Sequence, residues 1–294
     1  MSSNETTIKE VTPVLNSLAD TRNMNNESNL TIDLNADLGE GMGGDEAMVS
    51  LITSANIAGG GHAGGGEILR ETTEAAVSYG IAIGAHPSYP DRENFGRTSM
   101  RRGDYNFTEI KNSITDQIIA VALVAAKEGQ SLSHIKPHGA LYNDAMVHAD
   151  SAELFLEALF EAEENLVAHG ILAHDLDGSL PVFGLPNSVL QKICKANGRT
   201  FFSEAFADRA YTAEGLLVPR SKPGSVLETV EEVVEQALQI VTEGTVRSID
   251  GTLVYLIAET LCVHGDTKGA VLMTQEIRQA LIASNVTIRQ VEVI

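Results

Sequence analysis

The sequence predicts a single-domain α/β protein built as a (β/α) barrel. Three observations carry that expectation. From Leu30 onward, short apolar or β-branched runs alternate with longer stretches of helical periodicity, the pattern of a parallel sheet covered by helices. Seven or eight such units fill the 294-residue chain, and a barrel of roughly 250 residues commonly forms one domain. No dinucleotide fingerprint marks the crevice of an open doubly wound sheet, and no shift in composition marks a second domain.

In chain order, residues 1–29 read as a polar, disordered N-terminal extension without the basic start and apolar core of a secretory signal. The barrel domain then spans 30–294. Its expected strands are LTIDLNA (30–36), TSANIAG (53–59), GIAIGAH (80–86), LSHIKPH (132–138), LPVFGLP (180–186), RTFFSEAFA (199–207) and TLVYLIAETLCVH (252–264), with a last one at VTIRQVEV (286–293). Helices are expected at 67–78, 107–127, 152–162, 225–241 and 268–283. The second of these places Ile110, Ile114, Gln117, Ile118, Val121 and Val124 on one face. Residues 161–180 depart from the rhythm and read as a solvated insertion or a lid, carrying His169 and His174.

The formal charge of −20, from 40 acidic and 20 basic residues, excludes nucleic acid and anionic membrane surfaces as expected partners. Arg101 and Arg102, beside Asp104, read as a solvated loop rather than a basic patch. Cys194 and Cys262 lie far apart in apolar stretches, which argues against a disulfide framework and for a reducing, cytoplasmic compartment. No apolar run reaches the roughly 18 residues of a membrane span.

Loops that follow parallel strands open on one face, so polar residues recurring there converge in space. The first strand ends in Asn35, Asp37 and Glu40. Four of the eight histidines, His62, His86, His138 and His264, stand at or just past a strand end with Gly or Pro beside them. Asp37, His86 and His138 make one acceptable set for a divalent metal. The alternative is metal-free chemistry, with Asp37 or Glu40 as general acid or base and the histidines polarising a carbonyl. The run GGGHAGGG, with Gly59, Gly60, Gly61, Gly64 and Gly65, precedes a helix and could cradle an anion or phosphate, or be a plain flexible turn. It lacks the Lys-Ser/Thr ending of a nucleotide-binding P-loop.

The blocks IDLNADLGEG, SANIAGGGHAGG, IGAHPSYPDRENFGR, HIKPHGALYN, SEAFADRAY, GLLVPRS and LCVHGDT, in this order, closely resemble the LamB/YcsF family of lactam-utilisation proteins, the A subunits of bacterial 5-oxoprolinase. The resemblance implies a seven-stranded barrel of the glycoside hydrolase/deacetylase type and a role in ATP-dependent conversion of 5-oxoproline to glutamate with B- and C-type subunits. By matching blocks it implies catalytic roles for Asp37, Glu40, His62, His86, Lys136 and His138. It further implies substrate contacts from Asn35, Arg97, Asn143, Glu204, Asp208, Arg209, Tyr211, Arg220, His264 and Asp266. Asp208 with Arg209 could instead form an internal ion pair, and a homo-oligomer is compatible with this reading. The sequence departs from the family pattern where Gly59, Gly61, Gly65 and Gly66 replace a Cys, a Phe, an Asp and a Pro. The same barrel and an Asp-His-His set could instead support a metal-dependent deacetylase or carbohydrate hydrolase, and the altered Gly-rich loop opens a third alternative, a binding subunit with a decayed site.

Overall fold

The computed structural model describes residues 30–101, 105–172, 179–267 and 269–292. The expectations for residues 1–29, Arg102, Asp104 and His174 lie outside the described residues.

Six strands, β1 (Thr31–Leu38), β2 (Ser54–Ala58), β3 (Ala82–His86), β4 (His134–Ile135), β5 (Val182–Gly184) and β6 (Phe201–Phe206), pair in sequence order and all in parallel. A hairpin of β7 (Thr245–Arg247) and β8 (Leu253–Tyr255) stands outside them. β9 (Thr260–Cys262) then pairs with both β6 and β1, closing a seven-stranded parallel barrel, the strand number expected above. Finally β10 (Thr287–Ile288) lies parallel to the start of β1.

Around the barrel run α1 (Asp45–Val49), α2 (Gly66–Tyr79), α3 (Phe107–Lys127), α4 (Gly139–Val147), α5 (Ala149–Ala168), α6 (Val189–Ala196), α7 (Val230–Leu238) and α8 (Ala270–Ala283). α3 has the expected bounds. Its start is fixed by Asn106, whose side chain accepts from Thr108 N at 3.0 Å, and Ile110, Ile114, Gln117, Ile118 and Val121 are buried as the periodicity requires.

Three expectations are corrected. Residues 161–165 are neither lid nor insertion, because α5 continues through them to Ala168. Glu163 is buried there, which is sustainable because Arg199 grips both its oxygens and Leu180 N donates to it. His169 follows as the exposed C-cap of α5, at the end away from the strand-end loops. The helix expected from 225 begins only at Val230, where Thr229 and Glu232 form a capping box, and it ends in a π turn at Gln239–Glu243. The run 252–264 is two strands: its first half pairs with β7 outside the barrel, leaving Tyr255 82 % exposed, and only Thr260–Cys262 enters the barrel. An apolar run shows that a segment prefers extended structure but does not identify its partner.

Strands in a closed barrel are buried on both faces, so β1 is buried almost throughout. Its outward residues Ile32, Leu34, Ala36 and Leu38 pack into the apolar core beneath the helices. Its inward residues Asp33, Asn35 and Asp37 begin three polar rungs. In the lowest, Thr53, Ser54 and Thr260 donate to Asp33. Asn35, Asn56, His134 and Glu204 form the middle rung. Asp37, Lys136 and His86 form the top one, nearest the strand ends.

His134 is wedged between Asn56, whose Oδ1 lies 2.7 Å from Nε2, and Phe183, whose ring stacks on it at 4.0 Å. Burial, then the neighbouring Lys136, push its pKa down to about 3, so the ring is neutral at pH 7. Only glycine fits at position 84, because a Cβ there would collide with His134 Nε2. Gly84→Ala is expected to displace His134 from Asn56 and cost about 1–3 kcal/mol, as overpacking does. A urea unfolding midpoint equal to that of the unsubstituted protein would contradict this packing.

Candidate active site

The top rung opens into a cavity of about 380 Å³ at the carboxyl ends of the strands. Its floor is an ion triad. Lys136, 1 % exposed, places Nζ 2.8 Å from Asp37 Oδ1, 2.9 Å from Glu204 Oε1 and 3.1 Å from Cys262 Sγ. Burial opposes its charge, but the Asp37 carboxylate foremost holds the ammonium well above the usual lysine range. Asp37 behaves reciprocally. Burial alone would raise its pKa, and His86 and Lys136 override that, keeping it well below the carboxylate range and therefore ionised. Asn56 also donates to Asp37 Oδ1 at 2.8 Å, so Oδ2 remains, 3.3 Å from His86 Nε2.

Above the floor is a histidine cluster. His86 Nε2 faces His138 Nδ1 at 2.9 Å, and the His62 ring stacks on His138 at 3.6 Å. Glu40 Oε1 lies 3.1 Å from His62 Nε2 and 3.5 Å from His138 Nδ1. Burial and the Asp37 charge raise the Glu40 pKa to about 9, and burial lowers that of His62 to about 2. Glu40, His62, His86 and His138 could together hold a metal ion. This differs from the expected set: Glu40 and His62 join the two histidines, while Asp37 turns one oxygen to Lys136. Asp37, Cys262 and His264 also converge, but the Lys136 ammonium already lies against two of the three.

The loop after β3 closes this cluster from one side. Phe95 adopts a φ of 57°, and its carbonyl oxygen accepts from His138 Nε2 at 3.0 Å. Such a left-handed non-glycine residue costs of order 1 kcal/mol or more and persists where its surroundings over-determine it. Here Asp91 supplies that, accepting from Asn94 N and Thr98 N while its carbonyl accepts from Gly96 N. Gly96 lets the loop approach, since a Cβ there would lie 2.9 Å from His62 Cβ.

On the rim, Asp208 accepts from His264 Nδ1 at 2.9 Å and from Thr267 Oγ1 at 2.8 Å, and among the described residues His264 Nε2 makes no hydrogen bond. Asp208 does not pair with Arg209. The Arg209 guanidinium donates instead to the carbonyls of Val218 and Ser225, clamping the loop that carries Arg220. Asp266 is shared by Arg97, at 2.6 Å, and Arg220, at 3.6 Å. Asn143 reaches the cavity from α4.

Three expected substrate contacts lie beneath the cavity and are engaged by protein groups. Asn35 donates to Glu204 and Thr260, Glu204 bonds Lys136, and the Tyr211 hydroxyl accepts from Phe206 N at 2.7 Å. The glycine run also stays off the cavity wall. Arg92 grips the Gly60 and Gly64 carbonyls, and Gly59 and Gly61 abut Gln117, whose Oε1 a Cβ at position 61 would strike. Gln117 thus fills the space left by the smaller residues and ties α3 to Ser88 through two 2.9 Å bonds. The cavity adds Phe95, Tyr142 and Phe206, which the strand-end rule did not single out. Among the described residues, the buried Tyr142 hydroxyl finds no partner at full hydrogen-bond geometry. Its place in HIKPHGALYN, beside Asn143, was the available signal.

Comparison with known proteins identifies the family. The model of the LamB/YcsF family matches residues 32–294. The lactam utilization protein from Thermus thermophilus is 35% identical, with a TM-score of 0.75 over 88% of this chain and 99% of that one. A putative cellobiose-phosphate cleavage protein from Enterococcus faecalis is 14% identical, with a TM-score of 0.49 over 90% of this chain and 98% of that one. Among the described residues, no helix is long and apolar enough to cross a membrane.

Proposed function

The chain belongs to the LamB/YcsF family, and we propose that it opens the lactam ring of 5-oxoproline to give glutamate, as the A-type subunit of an ATP-coupled 5-oxoprolinase. The observation that carries this is the ionised Asp37, pinned by Lys136 and Asn56 with one oxygen left toward the cavity, beneath two arginines at the mouth. 5-Oxoproline offers what such a site would recognise: one carboxylate for the arginines and one amide carbonyl for the floor.

In this reading Arg97 and Arg220 take the substrate carboxylate and Asp37 removes a proton from the attacking water. Lys136 offsets the charge developing on the lactam oxygen. Water adds to the carbonyl carbon, the ring C–N bond breaks, and the departing nitrogen takes a proton from His264, which Asp208 orients. An unstrained amide leaves poorly, so ATP, acting with B- and C-type subunits, first transfers a phosphoryl group to the amide oxygen and departs as ADP; ring opening then leaves an acyl phosphate, which a second water hydrolyses to glutamate and inorganic phosphate. The cytoplasm is the compartment this coupling requires.

The test is glutamate release from 5-oxoproline by the purified chain, with and without ATP and the partner subunits. Release is expected only with all present. Calorimetric binding of 5-oxoproline without turnover would select the binding-subunit alternative. The Glu40–histidine cluster favours a second reading, a metal-dependent deacetylase or carbohydrate hydrolase, in which a bound ion would polarise an acyl carbonyl. Chelator-sensitive, ATP-independent acetate release from acetylated sugars would establish it. Under the lactam reading, Arg220→Ala is expected to raise KM about 10-fold or more and leave kcat within about threefold, as for binding shared by ground and transition states. A fall confined to kcat would remove Arg220 from carboxylate binding.

A further inference from the structure

With its rings neutral, the histidine cluster contains an electronic mismatch that hydrogen bonds within it do not remove. A carbonyl oxygen only accepts, so the proton on His86 must sit on Nδ1, which lies 2.8 Å from the Lys136 carbonyl oxygen. By the same rule the His138 proton must sit on Nε2, 3.0 Å from the Phe95 carbonyl oxygen. In neutral rings the two remaining nitrogens, His86 Nε2 and His138 Nδ1, then face each other at 2.9 Å, each presenting a lone pair that only an added proton or a cation can engage. Glu40 Oε1 stands 3.5 Å from His138 Nδ1 and 3.1 Å from His62 Nε2.

We propose that this convergence is a binding site for one divalent cation of the zinc class, held by His86 Nε2, His138 Nδ1, Glu40 and His62, with Asp37 beside it as the group that takes a proton from water.

Three features support it. Four ligands at about 2.0–2.1 Å from a tetrahedral ion are about 3.3 Å apart, and the 2.9, 3.1 and 3.5 Å separations bracket that value. All four ligand atoms lie within 4.8 Å of one another. Metal-binding histidines typically pass their second ring N–H to a carbonyl or carboxylate, fixing the tautomer, as His86 and His138 do here. Three imidazoles and one carboxylate select a borderline ion such as zinc over magnesium or calcium, which prefer all-oxygen shells. The inference goes beyond the lactam reading, because it rests on ligand geometry alone.

The experiment uses the full chain without lactam, ATP or partner subunits. After chelation and dialysis, zinc chloride is titrated in by calorimetry, and cobalt(II) is added separately to follow its visible absorption. Expected are one equivalent bound per chain and a cobalt spectrum of the intense, low-symmetry four-coordinate type. His86→Ala and His138→Ala, checked for folding by circular dichroism, are expected to lose affinity more than about 100-fold, beyond the loss caused by removing an outer partner. His169→Ala, distant on α5, should bind as the parent does. Absence of stoichiometric binding in the unsubstituted chain overturns the proposal whether or not the variants fold, as does binding unchanged in both variants. If the chelated chain binds no metal yet still releases glutamate with its partners, this inference fails and the lactam reading stands. Metal bound with no glutamate released gives the reverse.

Discussion

Lys136→Met is expected to cost about 3–5 kcal/mol of stability, the largest loss of any single substitution near the site. The methionine stem fits where the lysine stem lay, so the loss is electrostatic. Asp37 and Glu204 both approach the missing ammonium within 3 Å, and removing it leaves two buried carboxylates facing one another. Their pH dependence separates this from simple packing damage. In the parent, Asp37 has a depressed pKa, so it contributes stability that is present above its ordinary value of 3.8 and is lost as pH falls through the lower folded value. In the variant the Lys136 charge is gone, and burial with the facing Glu204 carboxylate raises the Asp37 pKa instead. A raised carboxyl destabilises the folded state most at high pH and recovers as pH falls. The destabilisation should therefore shrink from pH 7 to pH 5, read as converging urea midpoints. A constant difference across that range would mean that the triad does not hold Lys136 charged.

How much of this was legible in the sequence differs from element to element. The barrel was legible because its strands and helices obey local periodicity, and α3 emerged with its bounds because Asn106 and the apolar stripe are local signals. The convergence of His62, His86 and His138 was legible from topology, since strand ends of a parallel barrel share a face. Distances within the cluster were not. Whether Asp37 or Glu40 joins the histidines depends on side-chain direction, set by Lys136 and Asn56, which come from other strands. The run 252–264 failed for a related reason, because pairing partners are tertiary information. Gln117 was visible as a polar residue on an apolar face, but its purpose needed the glycines it packs against, far along the chain. Those same glycines looked like a damaged loop in sequence. In the structure the space is occupied by Gln117.

Asp37→Asn is the companion experiment, expected to remove activity without removing the fold. The asparagine keeps an oxygen where Lys136 and Asn56 donate, 2.8 Å away in each case, and turns its amide toward the His86 Nε2 lone pair at 3.3 Å. Lys136 retains Glu204, so the buried charges still balance one against one. Stability should fall far less than in Lys136→Met, by about 1 kcal/mol, the net worth of an altered hydrogen bond. Turnover should behave oppositely. An amide cannot accept the proton of the attacking water, and loss of a general base lowers kcat about 100- to 10,000-fold. With saturating 5-oxoproline, ATP and partner subunits, a variant that folds normally yet keeps more than a tenth of the parent kcat would remove Asp37 from the chemical step. One substitution thus empties the floor of its cation and the other of its base, and only the first is expected to disturb the barrel that holds them.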